Sequence, residues 1–188
     1  MTERRPEHPP SRPHFQVRPV RVQDARSIGD VHAEAWQSAY SGIFDPERLQ
    51  TAVDRRRGTG ADLTARLPAN LDGRLGDGSA VLIVEADGQV VGFAHFGPLS
   101  IEDPQPEIYA FYVHPDSWGS GAAEALWSET WTQIKRTAGS RAVVLWTLSG
   151  ATRARRFYER HGWIATGRRR DHDFGIGQPA CIVEYRSP

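Results

Sequence analysis

Residues 112–131, "YVHPDSWGSGAAEALWSETW", decide how the rest of the chain is read. An apolar, strand-like run ends at His114-Pro115. Behind Trp118 the side chains shrink at Gly119, Ser120, Gly121, Ala122 and Ala123, and a helix begins at once with Ala123, Leu126, Trp127, Thr130 and Ile134 on one face. Bare amides at a helix N-terminus suit an anion, and small residues let a phosphate come close. An ordinary tight strand-to-helix connection would look the same, so the flanking segments have to decide.

Upstream, "EIYAFYVHP" forms the strand that feeds this loop, after a breaker segment at Ile101–Pro106. Before it, "AVLIVEADGQVVGFAHFGPL" reads as two strands joined by Asp87-Gly88, a strong hairpin signal. Between Arg55 and Gly78 the pattern dissolves around Leu63, Leu67 and Leu71, with room for one helix. Earlier still, Ile28, Val31, Ala35 and Trp36 recur at helical spacing behind Asp24 as a cap, and Asp45-Pro46 opens a second, short helix. Phe15, Val17, Val20 and Val22, interrupted by Pro19, predict a first strand at a sheet edge. Downstream, "RAVVLWTL" is a continuously apolar, central strand. "SGATRARRFYERHGW" is a helix capped near Ser149 or Thr152 and ended by Gly162, and two last strands lie near Trp163–Arg169 and Ala180–Tyr185.

The order predicts one α/β domain, a mixed central sheet of about six or seven strands flanked by about four helices, over residues 15–188. Residues 1–14 are rich in proline and charge and are expected to be a flexible tail. The length, 188 residues, suits a single core. Basic and acidic residues balance at 23 each, so no global field favours nucleic acid or an anionic membrane. No run is apolar enough to span a bilayer. The one cysteine, Cys181, excludes an internal disulfide and a thiolate metal cluster, which fits a cytoplasmic location. "DHD" at 171–173 has no partner ligand at convincing spacing, so no metal is assigned.

This order and two motifs resemble the GNAT acetyltransferase superfamily, from about residue 15 to residue 186. The family's pyrophosphate loop has the form Gln/Arg-x-x-Gly-x-Gly/Ala. Here "WGSGAA" matches at Gly121 and Ala123, while Trp118 holds the first position and Ser120 stands where many members carry a cation. "RARRFYERHGW" resembles the following helix, matching at Phe157, Tyr158, Glu159 and Gly162, with Ala151 or a neighbour in place of a common asparagine. "AWQSAYSGI" also looks like a segment of many bacterial members.

The resemblance implies transfer of an acetyl group from acetyl-CoA to an amine by direct attack in a ternary complex. The amides of Gly119 to Ala123 would meet the pyrophosphate, with Trp118, Ala151, Arg153 and Phe157 near the coenzyme. Phe111, Tyr112 and Val113 would line the pantetheine arm, Val113 N–H being a donor for the oxyanion; sheet core is the plainer reading of all three. Tyr158 would protonate the leaving thiolate, or else be a core tyrosine. Glu107 would take the amine proton, or be a solvated strand-end charge. His95 is an alternative base on the acceptor side, and also reads as a histidine satisfied by its neighbours. His114 would hydrogen-bond the coenzyme or, beside Pro115, simply form the turn, and Arg153, Arg155 and Arg156 would clamp coenzyme phosphates, partly replacing the cation lost at Ser120, or form a solvated helix face. Trp36, Tyr40 and Phe44 would wall the acceptor or fill the core. The acceptor is a small-molecule or peptide amine, and the six tryptophans fit either a core or a homodimer interface. A second reading keeps the same fold as a non-catalytic acyl-CoA-binding or regulatory module, because Trp118, Ser120 and the missing asparagine remove side-chain contacts and leave the amides.

Overall fold

The computed structural model describes residues 14–67, 74–98, 105–139 and 141–188. Residues 1–13 of the expected tail, Leu71, and residues 101–104 of the breaker segment lie outside the described residues. The strands are β1 (Phe15–Pro19), β2 (Ala80–Ala86), β3 (Gln89–Pro98), β4 (Pro106–Val113), β5 (Val144–Leu148), β6 (Ile164–His172) and β7 (Ala180–Arg186). They form one seven-stranded sheet in the order β1-β2-β3-β4-β5-β7-β6. The helices are α1 (Ala25–Tyr40), α2 (Pro46–Arg57), α3 (Thr59–Thr64), α4 (Ala122–Ala138) and α5 (Thr152–Arg160).

Helices cover both faces, as expected for a mixed sheet. On one face α4 and α5 bury Leu126, Trp127, Ile134, Phe157 and Tyr158 against Val84, Ile108 and Leu145. On the other, α1 lays Ile28, Val31 and Trp36 over β2, β3 and the C-terminal strands. Helices α2 and α3 pack on α1 at very close range. A Cβ on Gly29 would stand 2.1 Å from the Arg57 carbonyl oxygen, and one on Gly60 only 1.8 Å from that of Ala25, so both positions must be bare. Three of the tryptophans, Trp36, Trp127 and Trp163, are core, and none is among the exposed large hydrophobic residues.

The Asp87-Gly88 turn has positive φ at both residues, 49° and 82°, as a two-residue hairpin requires. Two expected caps are replaced. Asp24 precedes α1 without capping it; its carboxylate instead accepts from Arg21 N–H (2.7 Å) and pairs with Arg18. Helix α5 has Ala151 at its N-cap with no side-chain bond, so neither Ser149 nor Thr152 caps it. Helix α2 is longer than expected, running through the arginines to Arg57, with Asp45 accepting from Glu47 and Arg48 N–H. Among the described residues no helix is long and apolar enough to cross a membrane, and no group of three or more His, Cys, Asp or Glu could hold a metal ion.

Candidate active site

The sheet is antiparallel except where β4 meets β5, and there only Glu107↔Val144 and Ile108↔Leu145 are paired. Beyond those pairs the strands part. His114 N–H donates to Val91 O, on the β3 side. In an antiparallel ladder neighbouring residues point their amides in opposite directions, so Val113 N–H and Phe111 N–H face the gap. The Val113 carbonyl, on the same side, accepts from Trp118 Nε1 at 2.8 Å.

Strand β4 also carries an extra residue. Ile108 pairs with Phe96 and Ala110 with His95, leaving Tyr109 as a bulge. After it the faces are re-phased: Ile108, Phe111 and Val113 join the α4/α5 core, while Ala110 and Tyr112 turn to α1. Tyr112 therefore points away from the α4/α5 side, and its hydroxyl accepts from Trp36 Nε1 at 3.1 Å.

At the end of β4 the chain makes a 3-10 turn over Pro115–Ser117, to which His114 Nδ1 accepts from Asp116 N–H. Gly119 (φ 81°) and Gly121 (φ 105°) then take left-handed conformations open to glycine, and α4 starts. A Cβ on Gly119 would meet nothing within 4 Å, so the surface above the loop is clear for a ligand. Of the five small-residue amides, two are spent within the loop: Ser120 N–H on Ser117 O and Ala122 N–H on Ser120 Oγ. Those of Gly119, Gly121 and Ala123, and that of Glu124 behind them, donate to no acceptor among the described residues. They stand at the positive end of a 17-residue helix. Arg153, at the start of α5, places its guanidinium 4.3 Å over the Trp118 ring.

A cleft of about 270 Å³ occupies the gap between β4 and β5. Trp36 and Tyr40 reach it from α1, Glu107 to Tyr112 from β4, and Ala154 and Tyr158 from α5. Trp146, Thr147 and Leu148 of β5, Arg170 and His172 of β6, Phe174 and Ile182 complete it. Tyr158 is buried between Trp127, Trp163 and Tyr185, and burial, with Tyr112 nearby, pushes its phenol well above the usual value. No hydrogen bond to its hydroxyl is present among the described residues. Glu107 is partly buried. Burial raises its carboxyl pKa and Glu184 adds to this, while the Arg170 charge opposes it.

The remaining candidates fall elsewhere. Phe157 is core, stacked on Phe111 at 5.5 Å. Ala151 is buried in the α1/α2 cluster with its N–H bonded to Leu148 O. Arg155 is tied to the Tyr185 hydroxyl (3.0 Å) and Ser149 O. Phe44 lies behind Trp36, the rings stacked at 5.9 Å. His95 does not line the cleft; it bonds Ser79 Oγ at 3.0 Å behind Tyr109, and burial, with Arg66 adding to it, lowers its pKa to about 4. Asp173 organises the loop after β6, accepting from the amides of Gly175, Ile176 and Gly177. That loop is held to α2 by Arg48 on Ile176 O and Arg55 on Gly175 O, which brings Phe174 over the cleft.

The acetyltransferase (GNAT) family model matches residues 34–163, well over half of the chain. The chain belongs to the GNAT family. A curated Mycobacterium tuberculosis protein named as a probable N-acetyltransferase is 23% identical over 154 residues, covering 82% of each chain. The PaiA N-acetyltransferase of Thermoplasma acidophilum, solved with coenzyme A, shares the fold at a TM-score of 0.67 and 20% identity, over 91% of this chain and 98% of its own. YncA of Salmonella typhimurium, solved with acetyl-CoA, superposes at 0.61 and 20% identity over 92% of both chains. In this GNAT chain Tyr158 lines the gap between the parted β4 and β5, and the glycine loop follows the end of β4. Sequence reading did not find Trp146, Arg170, His172 and Phe174 as cleft residues.

Proposed function

We propose that the chain is an N-acetyltransferase that moves an acetyl group from acetyl-CoA directly to an amine in a ternary complex, with residues 15–188 as its one domain. The observation that carries this reading is the open edge of β4 beside the unspent amides of the Gly119–Glu124 turn. Those amides and the N-terminal end of α4 would hold the pyrophosphate, a standard use of a helix start. The backbone of Phe111 and Val113 would pair with the pantetheine arm, with Trp118 and Arg153 along its border. Bound acetyl-CoA supplies an activated thioester and a thiolate leaving group.

The chain's own groups do the rest. Val113 N–H faces the gap and serves as the oxyanion donor. Tyr158 offers a proton to the sulfur, and Glu107, on the other side of the cleft, accepts the proton of the amine. Glu107 must be ionised to do so. Direct transfer is favoured over a covalent acyl-enzyme because Cys181 lies in β7 with its sulfur against Ile182 O and outside the cleft. The neighbours solved with coenzyme A and acetyl-CoA support the choice of cosubstrate.

The test is calorimetric titration with acetyl-CoA, followed by thiol release with a panel of amines. Binding is expected in the micromolar range, lost in Gly121→Glu, where φ of 105° and Phe15 at 3.4 Å leave a side chain no relaxed position. Circular dichroism must show that variant still folded. Absence of acetyl-CoA binding in the wild type would sink the reading, while binding without thiol release for any amine would favour a non-catalytic acyl-CoA module.

A further inference from the structure

The α1/α2 side of the cleft presents one carboxylate and one guanidinium that are not joined to each other. Glu107 comes from the start of β4. Arg170 comes from β6, across β5 and β7, with its Cζ 4.3 Å over the Trp146 ring. All three side chains line the cleft. The other cations on this side are engaged: Arg168 with Glu184, Arg48 and Arg55 with carbonyls of the β6–β7 loop, and Arg56 with the Ala52 carbonyl at 3.1 Å. The Arg170 side chain makes no ion pair or hydrogen bond among the described residues, although its charge reaches Glu107. A guanidinium stacked on an indole keeps its in-plane N–H fork free for a planar anion.

The same cleft offers an apolar side chain the surfaces of Trp36, Leu148, Phe174 and Ile182, beside the rings of Tyr40, Tyr112 and His172. A cleft of about 270 Å³ is smaller than the usual range for drug-sized ligands, about 300–1,000 Å³, so it suits a compact molecule. A diamine would set its second ammonium against Arg170. Resting on the acetyltransferase reading above, we infer that the acceptor is a small amphoteric amine, an apolar α-amino acid in its simplest form. Its carboxylate is bound by Arg170 and its amine faces Glu107.

Two matched pairs test this: phenylalanine with 2-phenylethylamine, and leucine with 3-methylbutylamine. Members of each pair share side chain and amine and differ in the carboxylate. Each amine's intrinsic reactivity cancels when the acid-to-amine ratio of kcat/KM is compared between wild type and Arg170→Gln. The ratio is expected to fall about tenfold or more in Arg170→Gln, mainly through KM of the amino acid, and to recover in part in Arg170→Lys, which keeps the charge but not the fork. An unchanged ratio, or no transfer to either amino acid by the wild type, overturns the inference. Calorimetry with acetyl-CoA separates the two levels: intact cosubstrate binding with no amino-acid preference defeats the acceptor assignment alone, whereas lost binding defeats the acetyltransferase reading and the assignment with it.

Discussion

Replacing Tyr158 with phenylalanine separates chemistry from packing. The ring is held by Trp127 at 5.7 Å, Tyr185 at 6.0 Å and Trp163 at 6.3 Å, contacts that phenylalanine keeps. Its hydroxyl leaves no protein partner behind among the described residues, so the change in stability should stay within about 1 kcal/mol. For a chain of this size that is a melting shift of at most about 2–4 °C. General acids contribute about 10²–10⁴ in rate. The lower end applies here, because a phenol above pKa about 10 gives its proton to a thiolate of pKa about 8.5 only uphill, by about 2 kcal/mol or more. Tyr158→Phe should therefore lower kcat about 10²-fold, or about 2.7 kcal/mol, and leave acetyl-CoA affinity nearly intact. Burial raises the phenol pKa, so the loss should be the same at every pH below about 10. Thiol release, calorimetry and a melting curve measure the three quantities. A kcat within about threefold of wild type would refute the general-acid assignment, and a kcat loss matched by a melting drop far beyond 4 °C would reassign Tyr158 to structure.

Two further outcomes follow from the titratable groups. Burial raises the Glu107 carboxyl pKa, so kcat at saturating acceptor should fall on acidification along a limb lying above the ordinary glutamate value of about 4.3; Glu107→Gln should remove that limb and cost about 10²-fold in kcat, and a limb that survives the substitution assigns the base elsewhere. His32, whose Nδ1 is hydrogen-bonded to Thr59, is pushed down to about 3 by burial and by Arg56, so its contribution to stability is complete above about pH 6.5 and is lost toward pH 3 at about 1.4 kcal/mol per pH unit. Denaturant midpoints between pH 6 and 4 should therefore fall less steeply in His32→Gln, by about one proton's worth of slope, and identical slopes would contradict the neutral buried histidine.

The coenzyme side of this site is legible in the chain because it is built locally. Strand, loop and helix follow one another within residues 107–138, so glycine at two left-handed positions and the Leu126/Trp127/Thr130/Ile134 stripe appear in sequence as they do in space. Even there the loop's own bonding was hidden. Ser120 stands where the family resemblance led one to look for a cation, and its hydroxyl and amide both close the loop on Ser117 O while its Oγ takes the Ala122 amide. Trp118 is likewise no simple loss: its indole holds the Val113 carbonyl and carries on its face Arg153, a cation the sequence offered as a replacement but whose stacking on Trp118 no motif encodes.

The acceptor side was illegible for a different reason, since irregularities in two strands decide which side chains reach it. Strict alternation along "EIYAFYV" would put Glu107 on the face of Phe111 and Val113, opposite Tyr112. The bulge at Tyr109 reverses that and brings Glu107 and Tyr112 to the same side. In β6 the register slips between Ala165 and Arg169 around Gly167, whose φ is 84°. That slip sets Arg170 opposite Ile182, on the cleft face, and leaves Arg168 to pair with Glu184. A run of three arginines in an edge strand carries no periodicity from which this choice could be read, and one residue more or less would expose Arg169 to the cleft instead. The one-residue bulge in β4 thus re-aims Glu107 toward the cleft, as bulges beside active sites do, while the two-residue slip in β6 keeps the face of its side chains and decides that Arg170, and not Arg168, stands opposite Ile182.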